Sequence, residues 1–147
     1  MSTKSDLGRY FPDAMPNPAA SAETKPFWDG ALEHRLVLQR CASCGRFRHP
    51  PRALCPWCRS FEATWDDVAA AGTLFTWSVV HQPFHPVLRD VVPYVVGIVE
   101  IDGTDGTRIT TNIVDTPHDA LRAGLRVEVV WEDMSAELAV PRFRAAG

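Results

Sequence analysis

Four cysteines arranged as two C-x-x-C pairs are the residues with the clearest chemistry in this sequence. The pairs are Cys41 with Cys44 and Cys55 with Cys58, and ten residues separate them. Tetrahedral zinc needs four ligands, and each tight C-x-x-C turn can present two thiolates about 2.3 Å from one ion. Gly45 follows the first pair, where a knuckle turn favours positive φ, whereas Arg59 follows the second. The spacing predicts a zinc ribbon whose four thiolates close the coordination shell, so the zinc would be structural.

Two other uses of paired cysteines fit the sequence less well. A disulfide framework needs an oxidising compartment, and the N-terminal residues lack the apolar stretch of a secretory signal. A thioredoxin-type centre needs a single C-x-x-C between a strand and a helix rather than two facing pairs. No apolar run is long enough to span a bilayer. We therefore expect a cytoplasmic protein that binds zinc and does not enter a membrane.

The segment around the cysteines is rich in arginine and carries no acidic residue from Gln39 to Ser60. One interpretation is an anion site for nucleic acid or for the phosphates of a ligand such as CoA; the other is a solvated surface that balances the zinc-thiolate charge. A second candidate contact region is the long apolar loop 82–93: either Phe84, Val87 and Leu88 are partly exposed and contact a partner or ligand, or the loop folds back over the barrel. The candidate CoA- or partner-contacting residues are Arg46, Arg48, Arg52, Phe84, His85, Leu88 and Arg89.

The elements that must position these residues can be read from hydrophobic periodicity. A short helix fits residues 24–33, and a strand leads into Cys41. After Trp65 the period changes to two, and three strands, a short helix over 116–124 and two further strands follow. This order is that of the five-stranded Greek-key OB-fold barrel. We expect Phe75 and Trp77 to face its interior.

The predicted fold is therefore mainly β, with an N-terminal helix and a rubredoxin-like zinc ribbon before the barrel. We divide the chain into an extended arm (1–23), a helix plus ribbon (24–66) and an OB-fold (67–147). No catalytic triad, H-E-x-x-H, phosphate loop or dinucleotide-binding motif is present. We read Glu132 and Asp133 as solvated residues at the end of an element. The sequence predicts no catalytic residue.

Several motifs together resemble one family. They are Pro26-Phe-Trp-Asp-Gly, Leu38-Gln-Arg-Cys41, Pro50-Pro51-Arg52, Cys55-Pro-Trp-Cys58, Pro93-Tyr-Val-Val-Gly-Ile-Val-Glu100 and Gly124-Leu-Arg-Val-Glu-Val-Val130. They resemble the acyl-CoA-associated zinc-ribbon/OB-fold family, long labelled a domain of unknown function, over about residues 26–144. The resemblance implies an accessory subunit of thiolase-like enzymes, which include thiolases, acyltransferases and CoA-dependent aldolases. In such complexes the partner carries the catalytic residues, and the small subunit stabilises it and helps to form the acyl-CoA site.

The resemblance also implies that a CoA ester is a ligand shared with the partner. It implies a complex in which two copies of this chain bind a partner dimer. A single-stranded nucleic-acid-binding module is the alternative, since zinc ribbons and OB-folds both serve that role. The net charge of -3 and the acidic residues of the predicted barrel argue against it. A third possibility is that the chain binds acyl-CoA alone, as a carrier or weak hydrolase, but it lacks an evident nucleophile.

Overall fold

A computed structural model of the chain describes residues 10–147. Its first element is helix α1, Lys25–Leu32, with a proline in the first turn, where a missing N–H costs nothing. Before the helix, Ser21 and Thr24 exchange hydrogen bonds between each backbone N–H and the other's hydroxyl oxygen, at 2.8 and 3.2 Å. The helix was predicted within one residue at each end.

The zinc-ribbon half is a small antiparallel sheet. Its strands are β1 Val37–Cys41, β2 Phe47–Arg48 and β3 Ala63–Asp67, in the order β2-β1-β3. β1 pairs Gln39 with Arg48 on one side and Cys41 with Ala63 on the other. The cysteine turns therefore project from the end of a three-stranded sheet.

The remainder is a closed five-stranded barrel. Its strands are β4 Ala71–Val80, β5 Tyr94–Ile101, β6 Arg108–Ile113, β7 Arg126–Ser135 and β8 Leu138–Ala145, in the order β4-β5-β6-β8-β7. β7 pairs with β4 to close the barrel, and β6 meets β8 in parallel. The predicted order and number of strands are confirmed.

One core joins the two halves. Phe27 of α1 and Leu36 and Leu38 of the ribbon belong to the same buried cluster as Leu74 and Phe143 of the barrel. The proposed division at residues 66 and 67 remains a prediction, and β3 ends at Asp67. Because the core is continuous, the ribbon sheet and the barrel hold each other in a fixed orientation.

The helix predicted over 116–124 is wrong, since only a 3-10 turn forms, at His118–Ala120. The Thr116 hydroxyl donates to the carbonyl of Val114 and accepts from Ala145 N–H, so it does not cap a helix. At the other end, the N–H of Gly124 donates to the carbonyl of Leu74, and Leu74 N–H donates to the carbonyl of Leu125. These bonds attach the segment to β4 and leave too few residues for an α-helix.

The prediction for Phe75 is also wrong. The register between β4 and β5 shifts at a bulge between Leu74 and Thr76. The bulge turns Phe75 outward, 46% exposed, whereas Trp77, opposite the buried Gly97, packs against the core as predicted. A bulge places one extra residue in a strand, which reverses the inward and outward positions that follow.

The described part of the arm contacts the barrel. The Phe11 ring packs edge-on against Tyr94, with centroids 5.4 Å apart, and Tyr10 N–H donates to a carboxylate oxygen of Glu132 at 2.9 Å. Residues 1–9, which begin the predicted arm, lie outside the described residues. Residues 10 and 11 are therefore part of the barrel surface.

Candidate metal centre and the adjoining cleft

The two cysteine turns have the geometry of zinc knuckles. In the first, Gly45 N–H donates to the carbonyl of Cys41 at 3.0 Å, and Gly45 has φ +77°. In the second, Arg59 N–H donates to the carbonyl of Cys55 at 2.9 Å, and Arg59 has φ +63°. Arg59 thus adopts the left-handed conformation that glycine has in the first knuckle, and its presence leaves the turn intact.

The four sulfur atoms lie close enough to share one ion. All four Sγ atoms are within 4.8 Å of one another, with Cys41 to Cys58 at 3.5 Å and Cys44 to Cys55 at 3.7 Å. Four sulfurs about 2.3 Å from a tetrahedral zinc would be about 3.8 Å apart. The tetrad therefore fits zinc, and one cysteine of each pair, Cys41 and Cys55, is buried.

Backbone N–H groups favour the thiolate forms that zinc requires. The N–H of Cys44 lies 3.4 Å from Cys41 Sγ and is the main reason that the pKa of Cys41 falls to about 6. In the second knuckle the N–H of Cys58 lowers the pKa of Cys55. Each knuckle therefore supplies hydrogen bonds to its first sulfur as well as the ligands themselves.

A cleft of about 470 Å³ lies beside the second knuckle, between the ribbon and the barrel. The three candidate ribbon arginines line it: Arg46, Arg48 and Arg52. Its barrel wall is the turn Thr104–Thr107 together with Arg108, which the sequence analysis did not single out. Arg108 could be recognised only after folding, because it lies 56 positions from Arg52 and in the other half of the chain. The cleft therefore brings four arginines around one space.

Arg48 is the most unusual of these side chains. It is 5% exposed, and its Nε and Nη2 donate to the carbonyl of Arg52 at 3.3 and 2.9 Å. Its Nη1 is buried without a hydrogen-bond partner among residues 10–147. A buried donor of a charged group that lacks a partner is costly, so an anionic ligand at this position would remove a real penalty.

Aromatic rings contact two of the other three cleft arginines, Arg46 and Arg108. The Arg46 guanidinium lies 5.2 Å from the Trp57 ring centroid, and that of Arg108 lies 3.7 Å from the exposed Phe75 ring. Arg108 also pairs with Glu100 at 3.3 Å. Stacking leaves the in-plane N–H groups of a guanidinium available for an anion.

A smaller cavity of about 270 Å³ lies between α1, the prolines after His49 and the outer face of the barrel. His49 and Pro50 line both this cavity and the arginine cleft. Burial lowers the pKa of His49, and its Nδ1 has no hydrogen-bond partner within residues 10–147. Within residues 10–147, the two buried side-chain atoms without a partner therefore belong to consecutive residues, Arg48 and His49. Both residues line the arginine cleft, and His49 also lines the smaller cavity.

The loop between β4 and β5 is only partly as predicted. Phe84 is 79% exposed, but Leu88 is the buried residue of a 3-10 turn, Pro86–Leu88, so the expectation that Leu88 is partly exposed is wrong. The His85 ring caps this turn by accepting from Val87 N–H at 3.3 Å, and Arg89 is exposed. Of the four candidate residues in this loop, Phe84, His85 and Arg89 are therefore exposed and Leu88 is buried.

The reading of Glu132 as a solvated residue is wrong as well. Glu132 lies within β7 and is buried, and its carboxylate accepts from Arg142 Nε at 2.9 Å. Arg142 also donates to Asn112 at 2.7 Å. Asp133 is exposed and bonds to His34 at 2.7 Å. The sequence could not reveal this ion pair, because the pattern of β7 does not show that Arg142 of β8 lies beside Glu132.

No helix within residues 10–147 combines the length and apolar character needed to cross a membrane.

The sulfur tetrad on a three-stranded ribbon and the closed barrel together define a zinc-ribbon/OB-fold protein. Residues 28–63 match the family model for the rubredoxin-like zinc ribbon domain of ChsH2, and residues 65–132 match that for the C-terminal OB-fold domain of ChsH2. The chain is 32% identical, over 71% of its own length and 77% of the relative's, to a DUF35 domain-containing scaffold protein of Methanothermobacter thermautotrophicus. The chain belongs to this DUF35 family.

Two further relatives carry informative names. The chain is 42% identical over 146 residues to a probable enoyl-CoA hydratase alpha subunit of Thermomonospora curvata, of which it spans 44% of the length. A chain of the solved Ltp2-ChsH2(DUF35) aldolase is 38% identical, with a TM-score of 0.78 over 89% of this chain and 100% of that one. The similarity to this aldolase chain therefore covers both the ribbon and the barrel.

Proposed function

We propose that this chain is a zinc-binding, non-catalytic accessory subunit that assembles with a thiolase-like or CoA-dependent aldolase partner. The observation that carries the proposal is the likeness, over 89% of this chain and 100% of the other, to a chain of the Ltp2-ChsH2(DUF35) aldolase. A relative named as an alpha subunit points the same way, although this chain spans less than half of it. The partner supplies the nucleophile and the acid–base groups, and two copies of this chain sit on a partner dimer.

Zinc bound by Cys41, Cys44, Cys55 and Cys58 is structural in this proposal. Four thiolates leave no open coordination position for water or substrate, so the ion does not take part in catalysis. Its role is to hold the two knuckles together at the end of the ribbon sheet. The rigid ribbon then forms one wall of the arginine cleft.

The arginine cleft receives the phosphates of a CoA ester shared with the partner. Its volume of about 470 Å³ falls within the roughly 300–1,000 Å³ of small-molecule sites. Arg46 and Arg52 are exposed at its mouth, and Arg48, which also lines it, is buried with an Nη1 that has no hydrogen-bond partner among residues 10–147. A phosphate oxygen would complete the hydrogen bonding of Arg48, and the mouth arginines would share the remaining charge.

The test of assembly is co-expression of the tagged chain with each thiolase-like or aldolase-like protein encoded near it. We expect one of them to co-elute, the complex to have the mass of a partner dimer with two copies of this chain, and CoA-ester turnover to need both proteins. Light scattering gives the mass, and assays of each protein alone serve as controls. A monodisperse chain that binds none of these proteins would refute the accessory-subunit proposal.

The test of the cleft is calorimetric titration of the complex with CoA and with dephospho-CoA. We expect Arg48→Met to weaken CoA binding about 10- to 100-fold, the equivalent of one charge-assisted hydrogen bond of about 1.5–3 kcal/mol. Arg122→Ala is the matched control, because Arg122 is exposed and does not line the cleft. Equal affinity of Arg48→Met and the unmodified complex would exclude the cleft as the CoA site.

Binding of single-stranded nucleic acid is the second candidate, and one observation favours it. The exposed Phe75 ring with Arg108 stacked on it resembles the aromatic and cationic platforms on which bases stack. Fluorescence anisotropy with a labelled oligonucleotide tests it, and genuine binding would weaken steeply as salt rises. Absence of binding at low salt would remove this candidate.

A further inference from the structure

The second zinc knuckle exposes large apolar side chains that the cleft does not use. Phe61 is 77% exposed and Leu54 is 40% exposed, and neither lines any of the cavities described above. Both flank the knuckle that Cys55 and Cys58 form. Together with Arg59, which is exposed in the same turn, they form what we term the knuckle patch.

Backbone hydrogen bonds hold the knuckle patch together. Cys55 N–H donates to the carbonyl of Ser60 at 2.9 Å, so Leu54 and Phe61 are neighbours across the base of the knuckle. The Ser43 hydroxyl donates to that of Ser60 at 3.0 Å and ties this base to the first knuckle. The patch is therefore built on rigid backbone, and binding through it would cost little conformational entropy.

The ribbon itself offers nothing that could bury these side chains. Between residues 42 and 62 the buried residues are Arg48, Pro51 and Cys55. Scattered single apolar residues are normal on a surface, but a leucine and a phenylalanine side by side on a rigid turn are typical of an interface. Phenylalanine and arginine are both enriched at protein–protein interfaces relative to the rest of the surface.

Charge indicates what kind of surface would cover the patch. No acidic residue occurs from residue 39 to residue 61, and Arg59 forms no ion pair within the described part of the chain. A second copy of the chain packed symmetrically would put two Arg59 side chains and no carboxylate of the patch into one interface, because a two-fold interface uses the same patch on both subunits. The patch therefore suits a different protein with carboxylates around an apolar hollow.

We propose that the knuckle patch of Leu54, Arg59 and Phe61 docks into an apolar hollow, bordered by carboxylates, on the partner subunit. This inference rests on the proposed function, since it identifies where the partner is bound. The zinc then acts on assembly as well as on folding, because it fixes the turn that carries the patch. The three patch residues do not line the arginine cleft, although Pro56 and Trp57 of the same knuckle do.

The experiment measures the affinity of the zinc-loaded chain for the co-eluting partner by calorimetry. We expect Phe61→Ser to weaken binding tenfold or more and Leu54→Ser to weaken it several-fold. Leu32→Ser is the matched control, because Leu32 is also 40% exposed but lies at the end of α1. Zinc content and circular dichroism of each variant establish that it is folded.

A charge variant of Arg59 tests whether carboxylates border the hollow on the partner. Arg59→Glu should lower the association rate at low salt, and the difference from the unmodified chain should shrink as salt rises. Full affinity of Phe61→Ser and Leu54→Ser for the partner would overturn the inference and leave the accessory-subunit proposal standing. A zinc-loaded chain that self-associates through Phe61 in sedimentation, with Phe61→Ser monomeric, would overturn it in favour of a second copy. If the unmodified chain binds no partner, the proposed function itself fails.

Discussion

Removal of zinc should unfold the ribbon turns and leave the barrel folded. The change is either chelation or Cys55→Ser, which replaces a buried ligand. Between residues 42 and 62 only Arg48, Pro51 and Cys55 are buried, so this segment has almost no apolar core. Ordering its backbone costs about 1–2 kcal/mol per residue, a total on the order of tens of kcal/mol. Burial of one proline cannot balance that cost.

The metal is therefore the largest favourable contribution to folding of this segment. Structural zinc contributes about 10–16 kcal/mol in zinc-finger peptides at neutral pH, more than the net stability of many domains. The barrel depends on different residues, among them Leu74, Val99, Val127 and Phe143, which are fully buried. We expect the loss of zinc to be local, with little effect on the barrel strands.

Hydrogen exchange measured by mass spectrometry checks this expectation peptide by peptide. Peptides within 41–62 should be protected with zinc and should exchange nearly completely within seconds without it, while peptides from β5 stay protected. Ala53→Ser is the control variant, since Ala53 is exposed in the same segment and provides no sulfur ligand. The reasoning is refuted if 41–62 stays protected in protein whose zinc loss is verified by elemental analysis and by reactive thiols, four after chelation and three in Cys55→Ser.

Two further predictions concern the barrel. Gly97→Ala should destabilise the barrel by about 1–3 kcal/mol in urea unfolding, because the added Cβ would lie 2.8 Å from Cγ1 of Ile113. Gly147→Ala is the control, since a Cβ there would meet no atom within 4 Å. Equal urea midpoints for the two variants would contradict the packing argument. Asp102 accepts hydrogen bonds from Arg126, which lower its pKa below 3.8, so this pair stabilises the fold above about pH 4 and loses that contribution as the pH falls through the lowered pKa. Asp102→Asn should therefore lower the free energy of unfolding by less than about 1 kcal/mol at pH 7, since the pair is exposed. The difference in free energy of unfolding between the variant and the unmodified chain should narrow at pH 3. A difference that does not change with pH would contradict this prediction.

The fold was predictable from sequence where the signal is local. The C-x-x-C spacing reports the knuckle turns directly, because two ligands three residues apart lie in one turn. The alternation of apolar residues identified all five barrel strands, since side chains of a strand alternate between two faces. Arg46, Arg48 and Arg52 could be chosen as candidates because they lie next to the cysteine pairs in the sequence.

Contacts between distant segments were not predictable in this way. Arg108 joins the ribbon arginines only because the barrel closes against the ribbon, and Phe75 turns outward only because of the bulge after Leu74. The burial of Leu88 and the pairing of Glu132 with Arg142 likewise depend on which surface each segment meets. A loop or a charged residue has no periodicity that reports its neighbours.

By itself, the sequence predicted the four-cysteine tetrad, the order of the barrel strands and the resemblance to a family. These properties follow from spacing and alternation along the chain. Only the tertiary structure decided that Arg48 is buried with an unpartnered N–H beside a cleft and that Leu54 and Phe61 share an exposed turn. The physical reason is that burial and hydrogen-bond satisfaction depend on every segment that packs around a group, and most of those segments are far away in sequence.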